Sequence, residues 1–233
     1  MAATAIGFDL GETLLTYADT PLNWASLYPA ALKHVGSKLG IVPREAELTE
    51  SIRVLSRYNT RLHPRREEVA AEKIFHEALA SWNLPPHGLE VAIAAFFAFF
   101  QQRVVPYPEA VAVLSELRAR GIRTGVLTDV PYGMPRAFVE RDLREAGILS
   151  LVDVLVTSVE IGWRKPEPAG FHALVAKLQI DVGELWFVGN EQKDVTGALA
   201  AQAHPILVDR ENLQPRWGEA HRIRDLREVL ALV

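Results

Sequence analysis

The sequence predicts an α/β fold, in which a three-layer, doubly wound parallel sheet carries an inserted bundle of helices. Two observations support this prediction. Beyond residue 106, short apolar runs typical of strands alternate with helical segments, and such alternation implies right-handed crossovers between parallel strands. One further apolar run, at residues 4–9, is separated from the others by a long stretch of helical pattern.

The alternating half is defined by apolar spacing and by the residues that interrupt it. Ala110, Val113, Leu114 and Leu117 share one face of a helix, which Gly121 ends. The same spacing predicts strands at residues 123–128, 152–157, 185–189 and 205–208, and helices at residues 109–120, 134–146, 167–178 and 194–202.

The stretch between the first strand and this half is typical of consecutive helices. Apolar residues recur there three and four positions apart, and Pro43-Arg44-Glu45 is typical of a helix start. A last helix, at residues 91–103, contains four phenylalanines. This is enough sequence for a bundle of four helices. We therefore predict a core domain of residues 1–15 and 106–233, and an inserted helical domain of residues 16–105.

Length, composition and charge limit the classes of partner. The chain has 233 residues, of which 49% are hydrophobic, and this suits one sizeable core plus an inserted subdomain. Its formal net charge is -4 and it has no long basic stretch, which argues against a nucleic-acid partner. Arg61, Arg65 and Arg66 are offset by Glu67 and Glu68, and the cluster is predicted to lie on a solvated helix face.

Cysteine usage and hydropathy bear on the compartment. The chain has no cysteine, which excludes disulfides and thiolate metal sites. Its longest apolar stretch, residues 91–100, is too short to span a bilayer. The first residues lack the basic and apolar regions of a signal peptide. The sequence therefore predicts a cytoplasmic protein without a membrane partner.

Polar side chains stand at or just beyond the ends of four predicted strands. Asp9 and Thr128 end two of them, Lys165 opens the helix after a third, and Asn190 and Asp194 follow the fourth. Because the carboxyl ends of parallel strands meet at one edge of a sheet, we expect these side chains to converge there.

A carboxylate, a hydroxyl, a fixed ammonium and a second acidic cluster are what phosphoryl transfer requires. Asp9 would attack phosphorus and form an acyl phosphate. Thr128 and Lys165 would hold the negative charge of the transferring group. Magnesium prefers hard oxygen ligands, which the two acidic segments can supply. Gly11 is expected to let the chain turn sharply and approach the ligand.

The order and spacing of these motifs resemble those of the haloacid dehalogenase superfamily, in its subfamily I branch with a helical C1-type cap after the first motif. Asp9-Leu10-Gly11-Glu12-Thr13-Leu14 is similar to the first motif, usually D-x-D-G-T. Thr128 is similar to the second motif, Lys165-Pro166-Glu167-Pro168 to the third and Gly189 to Asp194 to the fourth. The resemblance covers essentially the whole chain, and residues 16–105 would form the cap.

The resemblance implies roles for single residues. Asp9 would be the nucleophile, and Thr128 and Lys165 would bind the phosphate. The adjacent Asp129 and Arg164 are expected to contact the substrate.

A magnesium site is also implied. The Asp9 carboxylate and the Gly11 carbonyl would bind Mg²⁺, and Asn190 and Asp194 would complete or support the site. The implied protein is a monomer or homodimer that acts on a small phosphorylated metabolite. A cap over the site would exclude water when closed. The polar and aromatic residues that could line its inner face are Tyr17, Asn23, Trp24, Tyr28, Arg57, Tyr58 and Arg61.

Two departures from the family pattern leave alternatives open. The family's phosphatases usually carry an acid–base Asp where this chain has Gly11, and an Asp where it has Asn190. One alternative is therefore a non-catalytic protein that binds a phosphometabolite. A second is carbon–halogen hydrolysis, whose enzymes typically have an aromatic residue at the position of Gly11. A third is phosphonate cleavage, which needs a cap lysine to form an imine. The cap lysines are Lys33, Lys38 and Lys73.

Overall fold

The computed structural model describes residues 5–101 and 103–233. Its strands are β1 (Ala5–Phe8), β2 (Leu15–Tyr17), β3 (Val104–Pro106), β4 (Arg123–Thr128), β5 (Val154–Thr157), β6 (Leu185–Gly189), β7 (His204–Val208) and β8 (His221–Ile223). Within the described residues, all of these except β2 and β3 form one parallel sheet in the order β5–β4–β1–β6–β7–β8. The predicted strands are present, and β1 lies in the middle of the sheet.

The helices predicted in the alternating half are also present, with ends within two residues of those predicted. The helices are α1 (Tyr28–Leu39), α2 (Glu45–Tyr58), α3 (Ala71–Ala78), α4 (Gly88–Phe100), α5 (Ala110–Ala119), α6 (Arg136–Glu145), α7 (Ser158–Ile161), α8 (Ala169–Leu178) and α9 (Gln192–Ala200). Helix α2 begins at Glu45, as its start motif predicts.

Helices cover both faces of the sheet. Alternate residues of β4 point to opposite sides, so that Val126 packs in the same cluster as α5 and α6, while Leu127 packs with α8 and α9. All four residues of β1 are buried, as expected for a parallel strand that helices cover on both faces. The three-layer, doubly wound arrangement predicted from the sequence is confirmed.

Helices α1 to α4 form the inserted bundle. Phe96, Phe97 and Phe100 of α4 are buried in its centre, and Phe75 of α3 contacts Phe96 edge-on. The apolar cluster around these rings continues without a break into the residues under the sheet, such as Phe8 of β1. The insert is therefore packed against the α/β part and shares its core.

Two short strands join the insert to the sheet. β2 pairs with β3 in an antiparallel ribbon, in which Leu15 lies opposite Pro106 and Tyr17 opposite Val104. Both predicted domain boundaries, at residues 15/16 and 105/106, fall within this ribbon. The division into two domains stays a prediction.

The sequence missed four features and misplaced one. The ribbon strands, β8 and helix α7 were not predicted, because each is only three or four residues long and shows too little periodicity. The prediction that Arg61, Arg65 and Arg66 lie on a solvated helix face is wrong. Helix α2 ends at Tyr58, and the segment that follows is a turn and an extended chain. No helix in the described part of the chain is both long and apolar enough to cross a membrane.

Candidate active site

A cavity of about 160 Å³ opens at the carboxyl edge of the sheet, below the insert. Asp9, Gly11, Thr128, Asp129 and Asn190 line it from the ends of three adjacent strands. Arg164 also lines it, from the segment after β5. The predicted convergence of these side chains follows from the order β4–β1–β6 in the middle of the sheet.

Asp9 lies directly after β1, and its backbone N–H donates to the carbonyl of Val188 on β6. The side chain is buried, with 7% of the residue exposed. The residue in left-handed conformation in the following turn is Glu12, with φ 58°, and not Gly11. The expectation that Gly11 provides the sharp turn is therefore wrong.

Asp9 lines the cavity, whereas Lys165 and Asp194 do not line it and are buried in a chain of contacts with Asp9. We call these three residues the floor of the cavity. Lys165 Nζ lies 2.5 Å from Asp9 Oδ1 and 2.7 Å from Asp194 Oδ1. It also donates to the carbonyl of Leu127 on β4, at 3.2 Å. One ammonium group thus bridges two carboxylates that follow two different strands.

Burial and charge shift the pKa values of the floor. Burial raises the pKa of Asp9 to about 7, and the nearby Asp194 carboxylate adds to the rise. The Lys165 ammonium lowers the same pKa but does not outweigh burial. Burial disfavours the charged form of Lys165, but Asp194 and Asp9 hold the pKa of this ammonium well above its usual range. The floor therefore has one cation for two buried carboxylates and can accommodate further positive charge.

Close backbone approach positions Asp194. A Cβ atom on Gly189 would lie 2.3 Å from Asp194 Cβ, so the glycine at the end of β6 leaves the room that this carboxylate fills. Asp194 Oδ2 accepts a hydrogen bond from the N–H of Glu191, at 2.9 Å, within the capping box of α9. The side chain therefore caps its helix through one oxygen and contacts Lys165 through the other.

The donor atoms around the floor fit a magnesium ion. Asp194 Oδ1 is buried and has no partner besides Lys165. Asn190 Oδ1 accepts from the Thr13 hydroxyl at 3.2 Å, which leaves it a second lone pair. No group of three or more His, Cys, Asp or Glu side chains within residues 5–101 and 103–233 is arranged to bind a metal. One or two carboxylates, neutral oxygens and water are nevertheless the ligands with which Mg²⁺ is commonly bound.

Lys193 is a second cation of the cavity, and no pattern in the sequence distinguishes it from other lysines. Its Nζ lies 3.2 Å from Asp129 Oδ2 and 2.8 Å from Glu191 Oε2. Glu191 Oε1 also lies 2.5 Å from Arg61 Nη1 of the insert. Burial opposes the charge of Glu191, but Lys193 and Arg61 lower its pKa to about 2.

Asp129 is held from two sides. Its Oδ1 accepts from the backbone N–H of Lys165 at 3.0 Å, and its Oδ2 faces Lys193. Burial opposes the charge of Asp129, but Lys193 and Arg164 lower its pKa. Asp129 therefore orients Lys165 and Lys193, while Thr128 beside it lines the cavity.

The segment after α2 fastens the insert beside Lys165. Glu68 N–H donates to the carbonyl of Gly162, and Arg164 N–H donates to the carbonyl of Arg66. The Glu68 carboxylate is nearly fully buried, where it pairs with Arg164 and accepts from the Ser158 hydroxyl at 2.6 Å. Arg164, predicted to contact substrate, lines the cavity. Its guanidinium group, however, donates to the Glu68 carboxylate and to the carbonyl of Val130.

An aromatic wall closes the cavity on the side of the insert. Trp24 stacks on Phe100, with ring centroids 3.9 Å apart, and lies beside Tyr132 from the loop after β4. Tyr17 and Arg61 also line the cavity, as expected. The other inner-face candidates, Asn23, Tyr28, Arg57 and Tyr58, do not line the cavity.

The comparisons with known proteins agree with this geometry. A family model described as haloacid dehalogenase-like hydrolase matches residues 3–202. The chain is 36% identical over 185 residues to a phosphoserine phosphatase of Thermus thermophilus, a match that covers 75% of this chain and 70% of that protein. It is 37% identical over 102 residues to a phosphoglycolate phosphatase of Rhodospirillum rubrum, which covers 44% of this chain and 40% of that protein.

A solved structure with the same fold is the 2-haloacid dehalogenase from Pseudomonas syringae pv. Tomato DC3000. Its TM-score is 0.68 at 21% identity, and the match covers 100% of this chain and 98% of that chain. At this identity the likeness bears on the fold alone. The family match spans most of the sheet, the insert and all four motifs at the cavity. The chain therefore belongs to the haloacid dehalogenase-like hydrolases and is an enzyme of that family.

Proposed function

We propose that the enzyme is a magnesium-dependent phosphatase that hydrolyses small phosphate monoesters through an aspartyl phosphate on Asp9. The observation that carries the proposal is the buried Asp9 carboxylate, which lines the cavity and contacts the Lys165 ammonium. The relatives named as phosphatases support the reaction class. The small cavity favours a small phosphorylated metabolite. The cytoplasmic location and the monomeric or dimeric state stay predictions.

Each residue of the floor has a role in this mechanism. Asp9 attacks phosphorus and forms the acyl phosphate, which water then hydrolyses. Lys165 and Thr128 hold the charge of the phosphoryl oxygens as the group transfers. Asp194 keeps Lys165 in place and charged. Asp9, the Gly11 carbonyl, Asn190 and Asp194 would hold Mg²⁺, whose charge offsets that of the phosphate when it is bound.

The other two reactions have less support. The family's dehalogenases typically have an aromatic residue two positions after the nucleophile, and this chain has Gly11 there. Lys33, Lys38 and Lys73 do not line the cavity, so no cap lysine is placed to form an imine with a phosphonate substrate. A binding protein without turnover is the alternative that Gly11 and Asn190 favour. It differs from a phosphatase in that it binds a phosphate compound without releasing phosphate.

The test is phosphate release from a panel of small phosphate esters that includes an aryl phosphate. The assay is run with Mg²⁺, with a chelator, and with the Asp9→Asn variant. We expect release that needs Mg²⁺ and falls by roughly 10⁴- to 10⁶-fold in the variant, as when a covalent nucleophile is lost. Calorimetric binding of a phosphate compound with no turnover would favour the binding protein. Halide release from 2-haloacids that is insensitive to chelator would favour the dehalogenase.

A further inference from the structure

The space beside Asp9 on the Gly11 side is open. A Cβ atom placed on Gly11 would meet no heavy atom within 4 Å, and the backbone there is not in the left-handed region. A side chain could therefore stand at this position without strain, and this chain has none. A substrate oxygen bound above Asp9 meets no acid from the first residues of this loop.

The neighbouring carboxylic acid, Glu12, is held away from Asp9. Its Oε1 accepts from the Thr16 hydroxyl at 2.5 Å, and its Oε2 accepts from the Tyr107 hydroxyl at 3.0 Å. Both partners belong to the ribbon and to the segment that follows it. Glu12 therefore braces the insert's attachment and cannot also reach a leaving group without breaking two hydrogen bonds.

The other acids of the cavity are committed to cations. Asp129 holds Lys193 and the N–H of Lys165, and Glu191 holds Lys193 and Arg61. Among the described residues that line the cavity there is no histidine. Apart from Asp9 itself, no described carboxylic acid or histidine at the cavity is thus free to donate a proton to a departing oxygen. Lys193 and Arg61 line the same cavity and are already paired with Asp129 and Glu191.

Tyr17 also brings a hydroxyl group to the lining of the cavity. The proton of this hydroxyl is donated to Asp142 Oδ2 at 2.6 Å, and Asp142 is fully buried behind the cavity. Gln101 donates to the same oxygen. The Tyr17 proton is therefore committed to Asp142 and not to a leaving group.

These contacts determine which phosphate compounds the site can cleave efficiently. A strongly basic alkoxide departs readily only when it is protonated as its bond to phosphorus breaks, whereas a weakly basic oxyanion does not need the proton. We propose that the preferred substrates are phosphate compounds whose leaving group departs as a weakly basic oxyanion, such as the carboxylate of an acyl phosphate. This inference rests on the phosphatase function proposed above.

The reaction balances without a proton donor. An Asp9 oxygen forms a bond to phosphorus, the bond to the leaving oxygen breaks, and its electron pair leaves with that oxygen as the anion. Water then attacks the aspartyl phosphate and the bond to Asp9 breaks. Both protons of the water stay on the released dihydrogen phosphate, and Asp9 returns as a carboxylate. In both halves the leaving group is a weakly basic oxyanion.

The test is the dependence of kcat/KM on leaving-group basicity. The substrates are phenyl phosphates with graded substituents, acetyl phosphate, and phosphoglycolate as the alkyl ester. The variants are Gly11→Asp, which adds an acid, and Gly11→Asn, which adds a side chain of similar size without one. Gly183→Asp is the matched control, because Gly183 is exposed, has no heavy atom within 4 Å of an added Cβ, and lies before β6, at the far edge of the sheet.

We expect kcat/KM of the native enzyme to fall steeply as the leaving group becomes more basic. Gly11→Asp should raise the value for phosphoglycolate by roughly 10²- to 10⁴-fold, the usual effect of general acid catalysis, and should flatten the dependence. In Gly11→Asn the dependence of kcat/KM on leaving-group basicity should stay steep, and Gly183→Asp should match the native enzyme. The dependence should also stay steep in Tyr17→Phe.

Two outcomes would overturn the inference. A flat dependence in the native enzyme, with phosphoglycolate cleaved as efficiently as acetyl phosphate, would mean that another group supplies the proton. A dependence that becomes steep only in Tyr17→Phe would identify Tyr17 as that group. Failure of the proposed function is different, since no substrate, acetyl phosphate included, would then be cleaved in an Asp9-dependent way.

Discussion

The floor and the wall of the cavity are built in opposite ways. The floor is a compact set of charges, in which Lys165 bridges Asp9 and Asp194 at the ends of neighbouring strands. The wall is mostly aromatic, and Trp24 stacks there on Phe100 of the insert. Charged groups that are buried need fixed partners, while apolar groups need only to be packed. The floor should therefore tolerate substitution badly, and the wall should tolerate it better.

The largest effect is expected for Lys165→Met. It leaves two buried carboxylates without their shared cation, which should cost about 3–5 kcal/mol in the free energy of unfolding. Loss of the ammonium should also lower kcat by roughly 10²–10³, as for other groups that hold transition-state charge. Urea unfolding and steady-state kinetics measure the two quantities.

The control for this prediction is Lys177→Met. The Lys177 side chain is half exposed, and its Nζ lies 3.9 Å from Glu160 Oε1. Removal of this ammonium should therefore change the unfolding free energy by less than about 0.5 kcal/mol. Equal effects of the two variants would mean that the floor does not depend on its bridge.

The next effect concerns the contact between insert and sheet. Glu68→Gln removes the charge that Arg164 is paired with, and should lower the unfolding free energy by about 1.5–3 kcal/mol. Glu67→Gln is the matched control, because the adjacent Glu67 is exposed and its change should be nearly neutral. If Glu68→Gln were as neutral as its neighbour, the segment would not fasten the insert.

The acidity of Asp9 predicts a pH dependence of stability. In chelator, its pKa of about 7 in the folded protein lies above the value of about 3.9 for an unfolded chain. The folded state thus binds more protons between these values, and the free energy of unfolding should fall as pH rises from about 4 to 7.

Asp9→Asn should remove this share of the pH dependence. Added Mg²⁺ should stabilise the native protein at neutral pH, by about 2.7 kcal/mol at a hundredfold excess over its Kd. Urea unfolding at a series of pH values measures both effects. Identical pH slopes for the native protein and the variant would contradict the predicted acidity.

The smallest effect is expected at the rim of the wall. Arg61 pairs with Glu191 but its side chain is 43% exposed, so Arg61→Gln should cost at most about 1 kcal/mol in stability. It should raise KM more than it lowers kcat, since Arg61 lines the cavity from the insert and has no contact with Asp9 among those the structure describes. Arg57→Gln is the control, because Arg57 pairs with Glu77 on an exposed face. A fall in kcat without a change in KM would mean that Arg61 acts in the chemical step, as the floor residues are proposed to do.

The same contrast explains what the sequence could predict. Strands buried on both faces are continuous apolar runs, so their ends are visible, and the carboxyl ends of parallel strands must meet. This is why Asp9, Thr128 and Lys165 could be predicted to converge. The structure brings them together, with Asp194 beside them.

Contacts between distant segments could not be predicted in this way. Glu68 and Arg164 are 96 residues apart, and Glu191 meets Arg61 across 130. Nothing in the local pattern distinguishes such charges from solvated ones, which is why the arginines after α2 were wrongly assigned to a helix face. Lys193 was missed for the same reason, since its partner Asp129 follows a different strand.

The most direct test of the central claim is to trap the phosphoryl group on Asp9. The enzyme is mixed with an aryl phosphate and Mg²⁺, quenched in acid within a turnover, and digested for mass spectrometry. We predict a phosphoryl group on Asp9, sensitive to hydroxylamine and absent from Asp9→Asn. Steady release of phosphate from an enzyme whose Asp9 never carries the group would contradict the claim.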